Sequence, residues 1–452
     1  MAKIKPLLYS ALICTLALYI RIRYVMYAPF EFKTDAWSMY NYALNVVNGE
    51  YYGRCFGDIW ARYAYWPPLY IFLSGLIYKY LGTAQDFLIM RLIQAGFSAI
   101  SCLLVYGIAE ESARRYSRYH RETGLVSGLL TALNPSMVAY SNHLYSETVF
   151  ITIYLGLIYS GLKYVKHDLY KRISGSSGEK KQHYLTVFSV LLGIGNLTRP
   201  VLLLLPFAFL IYAGLQSYFC TGKRSLKKII RIILTDLIYV AALMLLVMSP
   251  WIIRNAIVTG RFILVDTNGP VNFYIAHNPL ANGGWVDVKP YTDINRLYES
   301  GYREGLNYIG KNVKNELRLL LVKQKLFLFE GDPHLIEAKT YLDKTFNLSL
   351  GKISLRLPQI SFSFLLYSSY ILLLLFIIKL YFKKTPYILA CEPSWIVINL
   401  MYVNMIILIF YFAPRYRIIA EPLVCIISGI LGAGIADTPD NLIDYKYTCK
   451  NP

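Results

Sequence analysis

One aspartate, Asp35, stands among tyrosine, asparagine and tryptophan in FKTDAWSMYNYALNVVNGEYY (32–52), close behind the first strongly apolar run. A carboxylate placed there can take a proton from a hydroxyl or amine, as a general base does. It can equally cap the helix that the pattern predicts from Ala36 to Asn48, ended by Gly49. Glu147, in YSETVF, offers a second carboxylate at the head of another apolar run, where the helix dipole also favours an acid. Arginines recur at the same level: Arg91 at a span start, Arg199 in LTRP, Arg254 in SPWIIRN, and Arg415 and Arg417 in APRYR. Arg21 and Arg23 close the first apolar run. Each alone can snorkel to lipid headgroups. As a set on one face, their planar forks fit phosphate oxygens, and apolar surroundings make that phosphate a lipid's. No His, Cys, Asp and Glu set has metal-ligand spacing. A divalent cation is compatible with the sequence without being indicated by it; His143 near Glu147 is the nearest approach to a metal pair.

These residues need a scaffold, and composition says which. The chain has 452 residues, 56% hydrophobic and 16% charged, with a mean hydropathy of +0.41. Soluble chains carry roughly a quarter charged residues. Apolar runs at Leu7–Ile20, Phe87–Ala109, Val187–Phe219, Ile229–Trp251, Ile360–Phe382, Trp395–Phe412 and Ile418–Ile435 approach the roughly 20 residues that cross a bilayer. The first reads as a retained span, because Arg21 and Arg23 follow it with no small-residue cleavage site.

The net charge of +19 marks topology rather than nucleic-acid binding. Basic residues crowd short loops: ARRYSRYHR (113–121), KYVKHDLYKR (163–172), EKK (179–181), GKRSLKK (222–228) and KLYFKK (379–384). That is the positive-inside pattern, and no basic stripe interleaved with stacking aromatics accompanies it. Cys14, Cys55, Cys102, Cys220, Cys391, Cys425 and Cys449 stand singly, as small buried hydrophobes do.

Charge also decides the span count. PPLYIFLSGLIYKYLG (67–82) is apolar but short. As a crossing it would turn every later basic loop outward; as an interfacial or re-entrant helix it leaves them all inside. The expected fold is an all-α polytopic membrane protein with about ten transmembrane helices, both ends cytoplasmic. An N-terminal transmembrane module (1–250) contains a first extracytoplasmic loop (27–86). A second extracytoplasmic loop (251–358), C-terminal transmembrane helices (359–436) and a cytoplasmic tail (437–452) follow. ISGSSGE (173–179) reads as a flexible linker. The segment Tyr291–Phe329 has helical amphipathic spacing and is expected on the membrane face. No P-loop or GxGxxG lies on the inner side, so chemistry belongs to the outer face or the membrane.

Several segments in order carry a family resemblance: DAWSMYNYALNVVNGEYY, YWPPLYIFLSGLIYKYLG, MRLIQAGFSAISCLLVYGIAEE, LNPSMVAYSNHLYSETVF, GIGNLTRPVLLLLP, SPWIIRNAIVTGRFILVDTNGPVNFYIAHNPLANGGW and PRYRIIAEPLV. Over about residues 7–436 the chain resembles the phospholipid-carrier-dependent glycosyltransferases of GT-C fold. That group includes the dolichyl-phosphate-mannose–protein mannosyltransferases and the aminoarabinose transferases that modify lipid A. The resemblance implies a multi-pass enzyme of a plasma membrane, a bacterial inner membrane or an archaeal cell membrane, acting on its outer face. It would move a sugar from a polyprenyl phosphate to a hydroxyl or amine of a lipid, glycan or protein. The family's first-loop acid falls on Asp35, but its frequent paired acid is missing, since Thr34 and Ala36 flank it. Tyr65 and Trp66 stand where some relatives carry Glu or Lys before PP, which departs from the aminoarabinose branch.

The residues support that chemistry independently. Glycoside hydrolysis needs a second carboxyl because an alkoxide leaves poorly. A phosphate leaves as a stable anion, so one base, Asp35, and cations on the phosphate suffice, and a single displacement inverts the sugar. Asn255, Asn268, Asn278 and Tyr40 are placed to touch sugar or acceptor. Turn formation explains the asparagines as well, and interfacial belting fits most of the 41 tyrosines. The alternative reading is a polytopic transporter or lipid flippase for an anionic substrate, although no internal repeat of the transporter kind is visible. A scaffold subunit of an envelope complex is a third. Membrane lipids are expected partners; nucleic acid is not.

Overall fold

The computed structural model describes residues 4–28, 30, 32, 34–50, 52–53, 59–82, 84–114, 117–169, 172, 182–221, 226–289, 292–330, 366 and 392–436. Asp58, the linker 173–179, the tail 437–452 and, except for Leu366, the expected span Ile360–Phe382 lie outside them. Among the described residues the only strand-like pairing joins Gly284 and Phe412. The rest is helix and turn.

The helices run α1 (Ile4–Tyr27), α2 (Thr34–Val47), α3 (Pro68–Leu81), α4 (Ala84–Ala113), α5 (His120–Leu133), α6 (Pro135–Tyr140), α7 (Glu147–Lys163) and α8 (His183–Thr198). They continue with α9 (Leu205–Thr221), α10 (Leu226–Thr259), α11 (Asn268–Ala276), α12 (Ile294–Lys311), α13 (Val313–Phe329), α14 (Pro393–Ile409), α15 (Pro414–Arg417) and α16 (Glu421–Ala436). Among the described residues five stretches are long and apolar enough to cross a membrane: Ile4–Tyr27, Phe87–Ala113, Glu147–Leu169, Pro200–Ser217 and Leu226–Thr259. His183–Thr198, Pro393–Ile409 and Glu421–Gly432 are shorter apolar helices. The single apolar run Val187–Phe219 is cut in two, because Arg199 takes an extended backbone and Pro200 restarts the chain as a short 3-10 turn. The protein is an all-α polytopic membrane protein.

α4 packs on α1, α5 and α7, and α8 packs on α7 and α10. α5 shows why helices can approach closely without a strong apolar stripe. Its buried face is Thr123, Gly124, Ser127, Gly128, Thr131 and Ala132, the small-residue spacing that brings membrane helices together. A Cβ on Gly128 would lie 2.6 Å from Ile13 of α1. Where α5 ends, the fully buried Arg21 of α1 donates to the carbonyls of Ala132 at 3.0 Å and Thr131 at 3.3 Å, and to Ser98 Oγ at 2.7 Å. Arg21 therefore satisfies the open end of a neighbouring helix.

α3, the segment whose crossing the charge pattern opposes, has 14 residues, and at 1.5 Å each it spans about 21 Å, short of a hydrocarbon core of about 30 Å. It lies along α2, close enough that a Cβ on Gly75 would sit 3.1 Å from the Ala43 carbonyl oxygen. α2 itself begins at Thr34, so Asp35 sits inside its first turn rather than capping it from outside. Gly49, at φ +71°, follows its other end.

α11, α12 and α13 form a cap over one end of the bundle, with Val271, Ile275, Ala276, Val288, Leu297, Tyr298 and Tyr411 buried together beside Ala61. α13 is fastened to the end of α14: Lys323 donates to the Leu408 carbonyl at 3.0 Å, and His277 sits between Glu316 Oε2 and the Ile409 carbonyl, 2.7 Å from each. Burial pushes the Lys323 ammonium down to about 8. α12 rests on α11 at Gly301, where a Cβ would meet the Pro270 carbonyl oxygen at 2.3 Å. Backbone cannot swing aside, so Gly301→Ala is expected to destabilise the cap by about 1–3 kcal/mol, the usual cost of overpacking. Thermal unfolding of the purified protein checks this: the midpoint drops by several degrees, and an unchanged midpoint would mean that the two helices do not pack so closely.

Candidate active site

Four chain segments converge under the cap. α2 presents Asp35 from its first turn. α7 starts at Glu147 after a turn in which Thr148 Oγ1 donates to the Tyr140 carbonyl at 3.0 Å. α8 ends at Arg199 against Pro200. After α14, Phe410–Ala413 turn the chain, and Pro414 opens the short α15 that carries Arg415, Tyr416 and Arg417.

The result is a continuous network of charge. Arg415 Nη1 donates to Asp35 Oδ2, and Arg415 Nε lies 4.0 Å from Glu147 Oε1. The same Glu147 oxygen lies 2.7 Å from Arg199 Nη1. That last contact is an ion pair rather than an aligned hydrogen bond, so attraction of charge holds it. Arg199 also donates to Ser146 Oγ at 3.4 Å. The Tyr416 ring lies between the two guanidiniums, 5.5 Å from Arg199 and 5.4 Å from Arg415. Burial alone would lower the Arg415 pKa, but Tyr416, Asp35, Glu147 and Tyr411 together hold it well above its ordinary value. It is charged at every working pH. Glu147 is 1% exposed, whereas Asp35 keeps 33% of its side-chain surface open, so of the two carboxylates only Asp35 is reachable.

What it opens onto is a cavity of about 560 Å³. Its lining includes Asp35, Arg199, Arg415, Asp266, Asn268, Asn272 and Tyr411. It also includes Phe150, one turn into α7 beyond Glu147, Ile406, Ile407 and Val403, one to two turns back along α14 from Phe410, and Val201, Leu202, Leu203 and Leu204 after Pro200. The cavity therefore has a charged head and an apolar trough, the profile of an anion with a hydrocarbon tail.

Asp266 is the functional candidate that the sequence did not reveal. It is half-buried, and the surface it keeps faces the cavity. Burial pushes its carboxyl up to about 7, against the Asn268 and Gly269 N–H groups and Arg199, which pull it down. A carboxyl raised in the folded state binds its proton there more tightly than in the unfolded chain. Stability is therefore lost as pH rises from its ordinary 3.8 through about 7, and then levels off. Asp266→Asn, neutral throughout, is expected to unfold at a higher temperature than wild type at pH 8 and to lose that advantage by pH 4. Parallel thermal scans check the sign; an advantage independent of pH would remove the titration.

The sequence-predicted residues divide. Asp35, Arg199, Arg415 and Asn268 line the cavity, and Glu147 stands directly behind its charged wall. Asn268 donates to the Tyr65 carbonyl at 2.8 Å. Arg91 is turned to the Val25 carbonyl at 3.1 Å and Asn142 Oδ1 at 2.8 Å. Arg254 donates to the Tyr63 carbonyl and lies over Trp251, 4.6 Å from the ring centre. Arg417 donates to the Glu330 carbonyl at 2.7 Å. Asn255 bonds the Ile263 carbonyl at 3.2 Å, and Asn278 closes its own turn through the Tyr274 and Ile275 carbonyls, both at 2.9 Å. Tyr40 packs in an aromatic cluster with Phe32, Trp37, Tyr78 and Phe87. None of these six lines the cavity. Among the described residues no group of His, Cys, Asp and Glu is arranged to hold a metal.

Residues 66–253 match the family described as Dolichyl-phosphate-mannose-protein mannosyltransferase. The whole fold matches ArnT from Cupriavidus metallidurans bound to undecaprenyl phosphate, with a TM-score of 0.55 at 11% identity over 95% of this chain and 61% of that one. The chain has the GT-C fold. A second GT-C structure is similar: the archaeal oligosaccharyltransferase AglB from Archaeoglobus fulgidus in complex with an inhibitory peptide and a dolichol-phosphate, with a TM-score of 0.53 at 13% identity over 99% of this chain and 52% of that one. The chain thus spans less than two thirds of the length of either GT-C structure. No curated protein matches it.

Proposed function

We propose that the protein is a membrane glycosyltransferase that moves a sugar from a polyprenyl phosphate to an acceptor hydroxyl or amine, with inversion. The observation that carries this reading is the Asp35–Arg415 pair at the charged end of a cavity whose other end is apolar. The prenyl tail lies in the trough of Phe150, Leu202, Val403 and Ile407, and the phosphate meets Arg415 and Arg199. Each guanidinium has more N–H donors than its present contacts use. As the bond from sugar to phosphate breaks, charge grows on the phosphate, where the two arginines stabilise it. Asp35 binds Arg415 through one oxygen and has a second to take the acceptor's proton. Glu147 holds both arginines in place without touching substrate.

The family match and the two lipid-phosphate-bound GT-C structures support this reading. Charge supports an extracytoplasmic active face. α7 begins at Glu147 in the site and ends at Lys163, which lies 2.6 Å from Glu111 in a separate network that includes Lys166. Those basic residues belong to the cytoplasmic side.

Membranes containing the protein, given a polyprenyl phosphate carrying a radiolabelled sugar, should transfer label to acceptor and release free polyprenyl phosphate. Label that stays on the lipid with every sugar tried, in the presence of source membranes as acceptor, would overturn the proposal.

A further inference from the structure

The network of Asp35, Arg415, Glu147 and Arg199 leaves part of the polar wall unused. Asp266 stands on that wall, near Arg199, two residues before α11. Its Oδ1 accepts the Asn268 N–H at 3.3 Å, which sets the carboxyl's orientation. Asn272, one helical turn after Asn268, lines the same cavity. Tyr302 of α12 reaches across to them: its hydroxyl lies 2.3 Å from where a Gly269 Cβ would be. Tyr65 is on the same wall, and its carbonyl accepts from Asn268 Nδ2 at 2.8 Å. With the lipid phosphate at Arg199 and Arg415, the group attached to it on the side away from the tail faces this surface.

We propose that Asp266, Asn272 and Tyr302 form the subsite that recognises the donor's sugar, and that the sugar is neutral and rich in hydroxyls. This rests on the donor reading given above. A carboxyl, an amide and a phenol, with acceptors and donors beyond those their present contacts use, suit vicinal hydroxyls. Asp35 and Glu147 are each matched by a guanidinium, so that network has no surplus negative charge to hold the ammonium of a cationic amino sugar. Asp266 is a specificity-determining residue in this arrangement: it takes no part in bond breaking, and its removal costs affinity for the sugar alone.

The test separates sugar from lipid. Native mass spectrometry of the protein in nanodiscs would measure binding of undecaprenyl phosphate alone and of the same lipid carrying mannose, glucose, N-acetylglucosamine or aminoarabinose. Wild type should hold one of the neutral-sugar lipids more tightly than the bare lipid. In Asp266→Asn that affinity should fall about tenfold or more, the usual scale for a lost hydrogen bond to a charged group, while affinity for bare undecaprenyl phosphate stays as it was. Tyr302→Phe serves as a second variant and should move in the same direction. Equal losses for bare and sugar-bearing lipid, no gain from any sugar in wild type, or a preference for aminoarabinose would each overturn the subsite. Failure of wild type to bind even the bare lipid would instead remove the donor reading beneath it.

Discussion

Asp35→Asn is expected to fold, insert and bind donor as wild type does, and to lower sugar transfer by roughly 10²–10⁴-fold, the range for losing a positioned general base. The substitution keeps the shape of the side chain and a hydrogen-bond acceptor for Arg415, but an amide cannot take a proton from the acceptor. The large effect follows from what surrounds Asp35. Glu147 is buried at 1% exposure and committed to Arg199, so it cannot replace a base that keeps 33% of its surface open. Asp266 is partly occupied by the Asn268 N–H. Steady-state transfer rates at saturating donor check this, with donor binding measured on the same preparation. Near-wild-type turnover in Asp35→Asn would exclude the base role.

Arg415→Ala should reduce transfer by roughly 10²–10³-fold, the scale on which one preorganised donor to a developing anion acts. Unlike the Asp35 variant, it should also weaken binding of the lipid phosphate. Arg415 reaches Asp35 with Nη1 and Glu147 with Nε while lying 5.4 Å over Tyr416, a combination that needs a planar fork. Arg415→Lys is accordingly expected to recover charge without geometry and to restore only part of the loss. Arg254→Ala provides the contrast. Its guanidinium serves the Tyr63 carbonyl and Trp251 away from the cavity, so it should affect stability more than donor binding. Dissociation constants for polyprenyl phosphate across these variants distinguish the two arginines; equal losses would mean that both hold the lipid.

The sequence made the level of the site legible but not its membership. Asp35 stood out because a lone acid beside an apolar run has few uses, and Arg199 and Arg415 because outer loops of membrane proteins are poor in arginine. Arg21, Arg91, Arg254 and Arg417 gave the same signal for a different reason. Each satisfies backbone carbonyls at helix ends or turns, a demand invisible until the helices are packed. Their facing depends on where each span ends, and a shift of one residue rotates a side chain by about 100° around a helix. Asp266 was hidden by the opposite effect. In VDTNGP it reads as turn chemistry, and it does bond the turn at Asn268. Only the cap formed by α11 and α12 turns it into cavity wall. Its position at the end of the apolar run FILV was the signal that could have found it. The shortness of α3 was legible from the length of its apolar segment, whereas the break at Arg199–Pro200 falls inside what reads as one apolar run.

A single-turnover experiment with nanodisc-embedded protein, equimolar radiolabelled polyprenyl-phosphate sugar and acceptor membranes tests the central assignment most directly. Bound donor and transferred label are counted in the same sample. Wild type should convert bound donor to product and free polyprenyl phosphate, whereas Asp35→Asn should accumulate intact bound donor and Arg415→Ala should hold little of it. Turnover in Asp35→Asn at the wild-type rate, or undiminished donor on Arg415→Ala, would contradict the assignment of base and phosphate clamp to this cavity.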